Sequence, residues 1–133
     1  RGEIVNRVNG FTRLDMVIVK PRVSLSTASV YAACRVPEVP QRIEAILAAW
    51  SSGDRRRIGE FLFNRLEEAA KRIAPSVDEV GARLRQTDCL GASMTGSGSC
   101  CFALYWHRKH AIAVARRFMA EKVGAVFVVH TVA

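Results

Sequence analysis

The chain has 133 residues, 50% hydrophobic and 24% charged, which is ordinary composition for a single globular domain. Its 20 basic residues outnumber 12 acidic ones, leaving a net charge of +8 spread along the chain, with only 8% aromatic residues. This balance favours anionic partners in general (nucleic acid, a phosphorylated metabolite or an acidic neighbouring domain), the low aromatic content argues against a base-stacking nucleic-acid platform, and no apolar run comes near the ~20 residues that a membrane-spanning helix needs.

The opening "RGEIVNRVNG" is polar and charged, unlike a signal peptide, and the cysteine usage fits a cytoplasmic protein. Cys34, Cys89, Cys100 and Cys101 show no C-x-x-C spacing, and adjacent Cys100 and Cys101 would point to opposite faces of a strand. Buried reduced thiols are expected, with no zinc site or disulfide framework.

In chain order, "IVNRV" (4–8) is a candidate strand with no assigned place. "LDMVIVKP" (14–21) reads as a short buried strand ended by Pro21. In "SLSTASVYAACR", Ser26 is placed to cap a short helix ending near Arg35. From Gln41, the residues Ile43, Ile46, Leu47 and Trp50 form one helical stripe, which "SSGD" breaks. Asp54 is expected to cap one helix running to about Ala74, with Ile58, Phe61, Leu62, Leu66, Ala69 and Ile73 buried. Arg55, Arg56 and Arg57 at its start read as a solvated charged turn. Ser76 and Glu79, following Pro75, match a capping box for a further helix ending near Asp88.

Two strands follow, at about 91–95 and 99–106, around "TGSGS". A helix over "RKHAIAVARRFMAEKVG" is predicted to bury Ile112, Ala115, Phe118 and Met119 and to stop at Gly124. "AVFVVHTVA" closes the chain as a strand. Strand, helices, two strands, helix, strand is the order of an α+β, ferredoxin-like sandwich: an antiparallel sheet of about four strands with helices on one face.

The loop 95–99 is the one motif with chemical content. It lacks the lysine of a P-loop, and a strand rather than a helix follows it, which excludes a dinucleotide fingerprint. Local pattern leaves two readings. Gly96-Ser97-Gly98 is either a hairpin bend that needs glycine, or an anion nest whose amides converge on a phosphate, assisted by Thr95, Ser97 and Ser99. Elsewhere, His107 and His110 suit an exposed helix start, and His130 an edge or half-buried strand position. Trp50 and Trp106 look like core or lid anchors, and Glu67-Glu68 like a solvated pair. No catalytic base or metal set assembles.

Three stretches together resemble the C-terminal domain of the GHMP small-molecule kinases. They are "VIVKPRVSLSTASVY" (17–31), "FNRLEEAAKRIAPSVDEV" (63–80), with Asn64, Leu66 and Glu67 similar to an Asn-x-Leu-Glu helix, and "LGASMTGSGSCCFALY" (90–105), similar to the family's third, glycine-rich motif. Within that family the stretches resemble the branch that phosphorylates 4-diphosphocytidyl-2-C-methyl-D-erythritol in isoprenoid biosynthesis. The resemblance implies a ferredoxin-like fold and ATP-dependent phosphorylation of an alcohol. It also implies that Thr95, Gly96, Ser97, Gly98 and Ser99 contact phosphate or substrate, that a side chain at Gly98 obstructs turnover more than folding, and that Ser26 and Thr27, with Ser24 an open alternative, lie on the substrate side.

By the same resemblance, ATP, Mg and the catalytic Asp and Lys belong mainly to a preceding N-terminal kinase domain. Residues 1–13 are then a remnant of that domain or a linker, 14–133 the C-terminal domain, and no catalytic residue lies in this chain. The isolated chain is expected to be inactive, and an apolar face freed of its neighbour could drive homo-oligomerisation. Two other classes remain: a stand-alone ligand-sensing or protein-interaction module, and an RNA-binding domain whose affinity falls steeply with salt.

Overall fold

The computed structural model describes Val8 and residues 13–39 and 41–132. The candidate strand at 4–8 and the remnant at 1–13 therefore fall almost wholly outside the described residues. Strand β1 (Asp15–Pro21) lies inside a four-stranded sheet and alternates as a two-faced strand should. Val17 and Val19 are fully buried on one face, while Met16 and Ile18 are half-buried on the other. Strands β2 (Gly91–Met94), β3 (Cys101–Tyr105) and β4 (Gly124–His130) complete an antiparallel sheet in the order β2-β3-β1-β4. Val17 pairs with Ala103 and Val128, and Val19 with Cys101 and Val126. This is the ferredoxin-like α+β order anticipated from the elements.

One face carries the main core. Helices α1 (Thr27–Ala33), α4 (Glu67–Ile73), α5 (Pro75–Arg85) and α6 (Arg108–Ala120) contribute Val30, Ala70, Val77, Leu84, Ala111 and Phe118 to it. Each large apolar side chain sealed there contributes about 1.5–3 kcal/mol. The buried Tyr105 hydroxyl stays satisfied through Thr87 Oγ1 at 2.9 Å, and that hydroxyl is bonded in turn to Leu84 O at 2.6 Å. Helices α2 (Glu44–Ser52) and α3 (Arg55–Glu60) add a cover on part of the opposite face, where Ala49 and Ile58 meet Leu14 and Leu104.

Ser26 caps α1, with its Oγ accepting from Ser29 N, and Asp54 caps α3 through Arg57 N. The long helix expected over 55–74 is instead two helices, α3 and α4, because Asn64 Oδ1 accepts from Leu66 N at 3.0 Å and holds the chain in a local turn. Ser76 and Glu79 form no capping box. The N-cap of helix α5 lies two residues earlier, at Ala74, without a side-chain bond and with Pro75 in the first turn. Helix α2 begins at Glu44 and leaves Ile43 64% exposed.

The buried stripe of α6 is Ala111, Val114, Ala115 and Phe118. Of the expected face Ala115 and Phe118 are buried, while Ile112 is half-buried and Met119 exposed, so the stripe swings part of a turn toward Ala111 and Val114. Gly124 does not stop that helix but opens β4; Lys122, at φ 53°, makes the reversal. No helix among the described residues is long and apolar enough to cross a membrane.

Candidate functional site

The loop 95–99 closes the β2–β3 hairpin at the end of the sheet where β1 leaves toward α1. Gly96 has φ 52° and Gly98 φ 90°, which is the left-handed backbone that glycine tolerates. Gly98 N donates to Thr95 O at 2.9 Å, and Thr95 N donates to Cys100 O at 2.8 Å. Ser99 is buried, and its hydroxyl donates to Val23 O at 2.7 Å. Gly98 and Ser99 therefore build the loop. The amides of Gly96 and Ser97 make no hydrogen bond among the described residues. Thr95 and Gly96 are exposed and Ser97 is half-buried.

The loop's shape is imposed from the start of α4 and the turn before it. Asn64 Nδ2 donates to Met94 O at 2.7 Å and to Gly96 O at 2.8 Å. Three residues on, Glu67 Oε2 accepts from Met94 N at 3.2 Å and from the Ser93 hydroxyl at 3.1 Å. Its other oxygen meets Lys71 at 3.2 Å and Arg85. Burial alone would raise the Glu67 carboxyl pKa, but hydrogen bonds from Lys71 and Arg85 outweigh it and hold the group below the usual carboxylate value. Glu67 is therefore no solvated partner of Glu68. It fastens the end of β2, and Lys71 carries the network on to Asp78 of α5 at 3.4 Å.

The two segments singled out in the sequence do meet. Thr27 Oγ1 and Ser97 Oγ are 2.9 Å apart, across 70 positions of chain. Ser26 is committed to its helix cap, and Ser24 is exposed beside it. The site thus gathers neutral hydroxyls and unpaired amides at the start of α1, a donor set suited to oxyanions. It offers a metal ion little, since the neighbouring carboxylate Glu67 is fully engaged. Among the described residues no cluster of three or more His, Cys, Asp or Glu side chains is placed to hold a metal.

A built-on Cβ distinguishes the two glycines. At Gly98 it would lie 2.8 Å from Met94 Sδ and 3.0 Å from Leu25 Cδ1, whereas at Gly96 it meets nothing within 4 Å. A substitution at Gly98 therefore strains a left-handed backbone and displaces the ends of the Met94 and Leu25 side chains, so it bears on folding as well as on turnover. Sequence reasoning placed Asn64 in a motif but missed its task, because the two carbonyls it holds are 30 and 32 residues away.

The remaining candidates lie apart. Trp106 is 47% exposed, with Arg55 over its ring, and is no core anchor, while Trp50 is half-buried with Leu14 and Ile58. His107 is exposed, His110 packs edge-on to Tyr105 at 5.0 Å, and His130 is exposed on edge strand β4. Of the free cysteines only Cys101 is buried; Cys34, Cys89 and Cys100 are half-buried.

Comparison with known proteins gives this geometry a family. The model of the C-terminal domain of GHMP kinases matches residues 32–124. The 4-diphosphocytidyl-2-C-methyl-D-erythritol kinase of Caldicellulosiruptor bescii is 31% identical over 118 residues, which is 87% of this chain and 41% of that protein. Its counterpart from Pelotomaculum thermopropionicum is 35% identical over 120 residues, 89% of this chain and 42% of that protein. The chain spans about two fifths of these relatives' length. A crystal structure of 4-(cytidine 5'-diphospho)-2C-methyl-D-erythritol kinase superposes with a TM-score of 0.73 at 30% identity, covering 92% of this chain and 44% of that one. Mevalonate kinase of L. major, at 19% identity and a TM-score of 0.71 over 96% of this chain and 45% of its own, shares the fold. The family match over most of the chain and the fold agree: this chain belongs to the GHMP kinase family, in its C-terminal domain.

Proposed function

We propose that this chain is the C-terminal part of an ATP-dependent small-molecule kinase that phosphorylates a hydroxyl of 4-diphosphocytidyl-2-C-methyl-D-erythritol, in the cytoplasm. The relatives named for that substrate, at 31% and 35% identity, support the choice within the family. The observation that carries the reading is the loop held by Asn64 and Glu67, which leaves the Gly96 and Ser97 amides unpaired beside Thr27. In this reading those amides and the hydroxyls of Thr95 and Ser97 bind and orient phosphate or substrate oxygens, a fixed donor set that needs no rearrangement as charge builds. Ser99 and Gly98 shape the loop, and Ser26 positions Thr27 through the helix cap.

ATP supplies the transferred phosphoryl group. On the family resemblance it and magnesium are assigned to a preceding N-terminal domain, together with the catalytic Asp and Lys; for magnesium the assignment agrees with the neutral donors here, which suit anionic oxygen better than a cation. The 133-residue chain alone is then inactive. The test joins it to the segment encoded upstream and follows ATP consumption with the cytidyl substrate, homoserine and mevalonate in parallel. Turnover on the cytidyl substrate, weakened by Ser97→Ala, supports the reading. Absence of turnover on every alcohol overturns it, and turnover confined to another alcohol overturns the substrate choice.

A further inference from the structure

Three of the chain's 20 basic residues line one cleft. Beside Asn64, where the end of α1 approaches α4, a cleft of about 330 Å³ is lined by Arg35, Arg65 and Arg72. Phe63 and Pro37 form an apolar wall, and Glu68 is the single carboxylate in the lining. Glu68 is 75% exposed and paired with Lys71 at 3.2 Å, so it does not neutralise the three guanidinium groups. Arg72 is anchored, its Nη2 donating to Ala33 O at 2.9 Å.

Arg65 is the unusual member. Its Nε is sealed from solvent yet has no hydrogen-bond partner among the described residues. An atom without exposed surface is not itself within a ligand's reach, so what the cleft offers a phosphate is the charge and planar donors of the arginines that line it, which suit phosphate oxygens well. The cleft also shares Asn64 with the glycine loop, since the same side chain that lines it holds Gly96 O.

We propose that this cleft is a subsite for the phosphate- or diphosphate-bearing part of an organic ligand, with Arg35 and Arg65 on the anion and Phe63 against the attached group. The shared chemistry has two sources: the diphosphate of the kinase substrate, or a free nucleotide that regulates the enzyme. Only the first source rests on the proposed function; the anion subsite itself does not.

Cytidine diphosphate is the probe. Titrated into the chain and followed by calorimetry, it binds saturably and more weakly as salt rises. Arg65→Gln and Arg35→Gln each weaken binding by about tenfold or more, as expected for loss of a charge-assisted bond, while Arg57→Gln, outside the cleft, leaves it unchanged. Arg35 is exposed, so its variant folds even where the Arg65 variant does not. Equal affinity in the wild type and Arg35→Gln, or no binding at millimolar nucleotide, overturns the proposal.

In the protein joined to its upstream segment, a raised KM for the cytidyl substrate with unchanged kcat assigns the subsite to substrate. Lost nucleotide binding with KM unchanged assigns it to a separate ligand. Binding that depends on the arginines without kinase turnover supports the subsite and removes the proposed function. Turnover without such dependence does the reverse.

Discussion

Asn64 donates both hydrogens of its side-chain amide to Gly96 O and Met94 O, at 2.8 and 2.7 Å, while its own oxygen receives Leu66 N. One residue thus ends the turn before α4 and sets the carbonyls of the glycine loop. Replacing it with aspartate keeps the shape and the bond from Leu66 but removes the donors and turns a carboxylate toward two carbonyl oxygens. Asn64→Asp should cost about 1–3 kcal/mol. The check is a lower denaturant midpoint at unchanged m-value, with amide resonances of Gly96 and Ser97 displaced.

Glu67 gives the fold an acid-sensitive fastening. Its pKa in the folded chain lies below the usual 4.5, held there by Lys71 and Arg85 against the opposing effect of burial. The network's contribution is therefore fully present above that usual value and disappears as pH falls through the lowered folded value. Lys71 runs the other way. Burial would depress its pKa, but Glu67 and Glu68 raise it above the usual 10.5, so its contribution is present below that value and lost as pH climbs through the folded one. Thermal unfolding across pH should show a plateau bounded by these two declines. Glu67→Gln should flatten the acid decline and lower the plateau, and an unchanged acid limb in that variant would show that the network contributes no stability.

The sheet, the Ser26 and Asp54 caps and the glycine loop were legible because their signals are local: period-two burial, a hydroxyl or carboxylate at a helix start, and glycine between strands. What escaped was non-local. Nothing within the periodicity of residues 55–74 shows that Asn64 will leave the helix to hold Met94 and Gly96, and Glu67 beside Glu68 has the pattern of a solvated pair until Arg85 and Ser93 are brought to it. The rotation of the α6 face follows from the same cause. Small residues such as Ala111 pack against the sheet as closely as Ile112 would, and local pattern does not rank them.

Cys101 sits with Val77 O 3.6 Å from its sulfur, and burial pushes its thiol up to about 12. At neutral pH it holds almost no thiolate, the form that reacts. Alkylation of the native chain should therefore label Cys34, Cys89 and Cys100, which are half-buried, well before Cys101. Peptide mass spectrometry reads the order, and Cys101 should join the others only in denaturant. Early labelling of Cys101 would mean that the β3 core opens far more readily than its packing suggests.

The two glycines of the loop should separate folding from function. Gly98→Ala drives a methyl group toward Met94 and Leu25 in a backbone at φ 90°, so a stability loss of about 1–3 kcal/mol is expected, whatever becomes of activity. Gly96 sits at φ 52° with open space where a side chain would grow. Asparagine visits that region of backbone, so Gly96→Asn should unfold within about 1 kcal/mol of the parent. Its side chain then stands beside the unpaired Gly96 and Ser97 amides and competes with an incoming phosphate oxygen. In the protein joined to its upstream segment, Gly96→Asn should lower kcat/KM by about tenfold or more, the size expected for losing one oxyanion donor or its access. Full activity in a stable Gly96→Asn variant would show that these amides do not touch the reacting phosphate, and the loop would then be a hairpin bend with glycines chosen for shape.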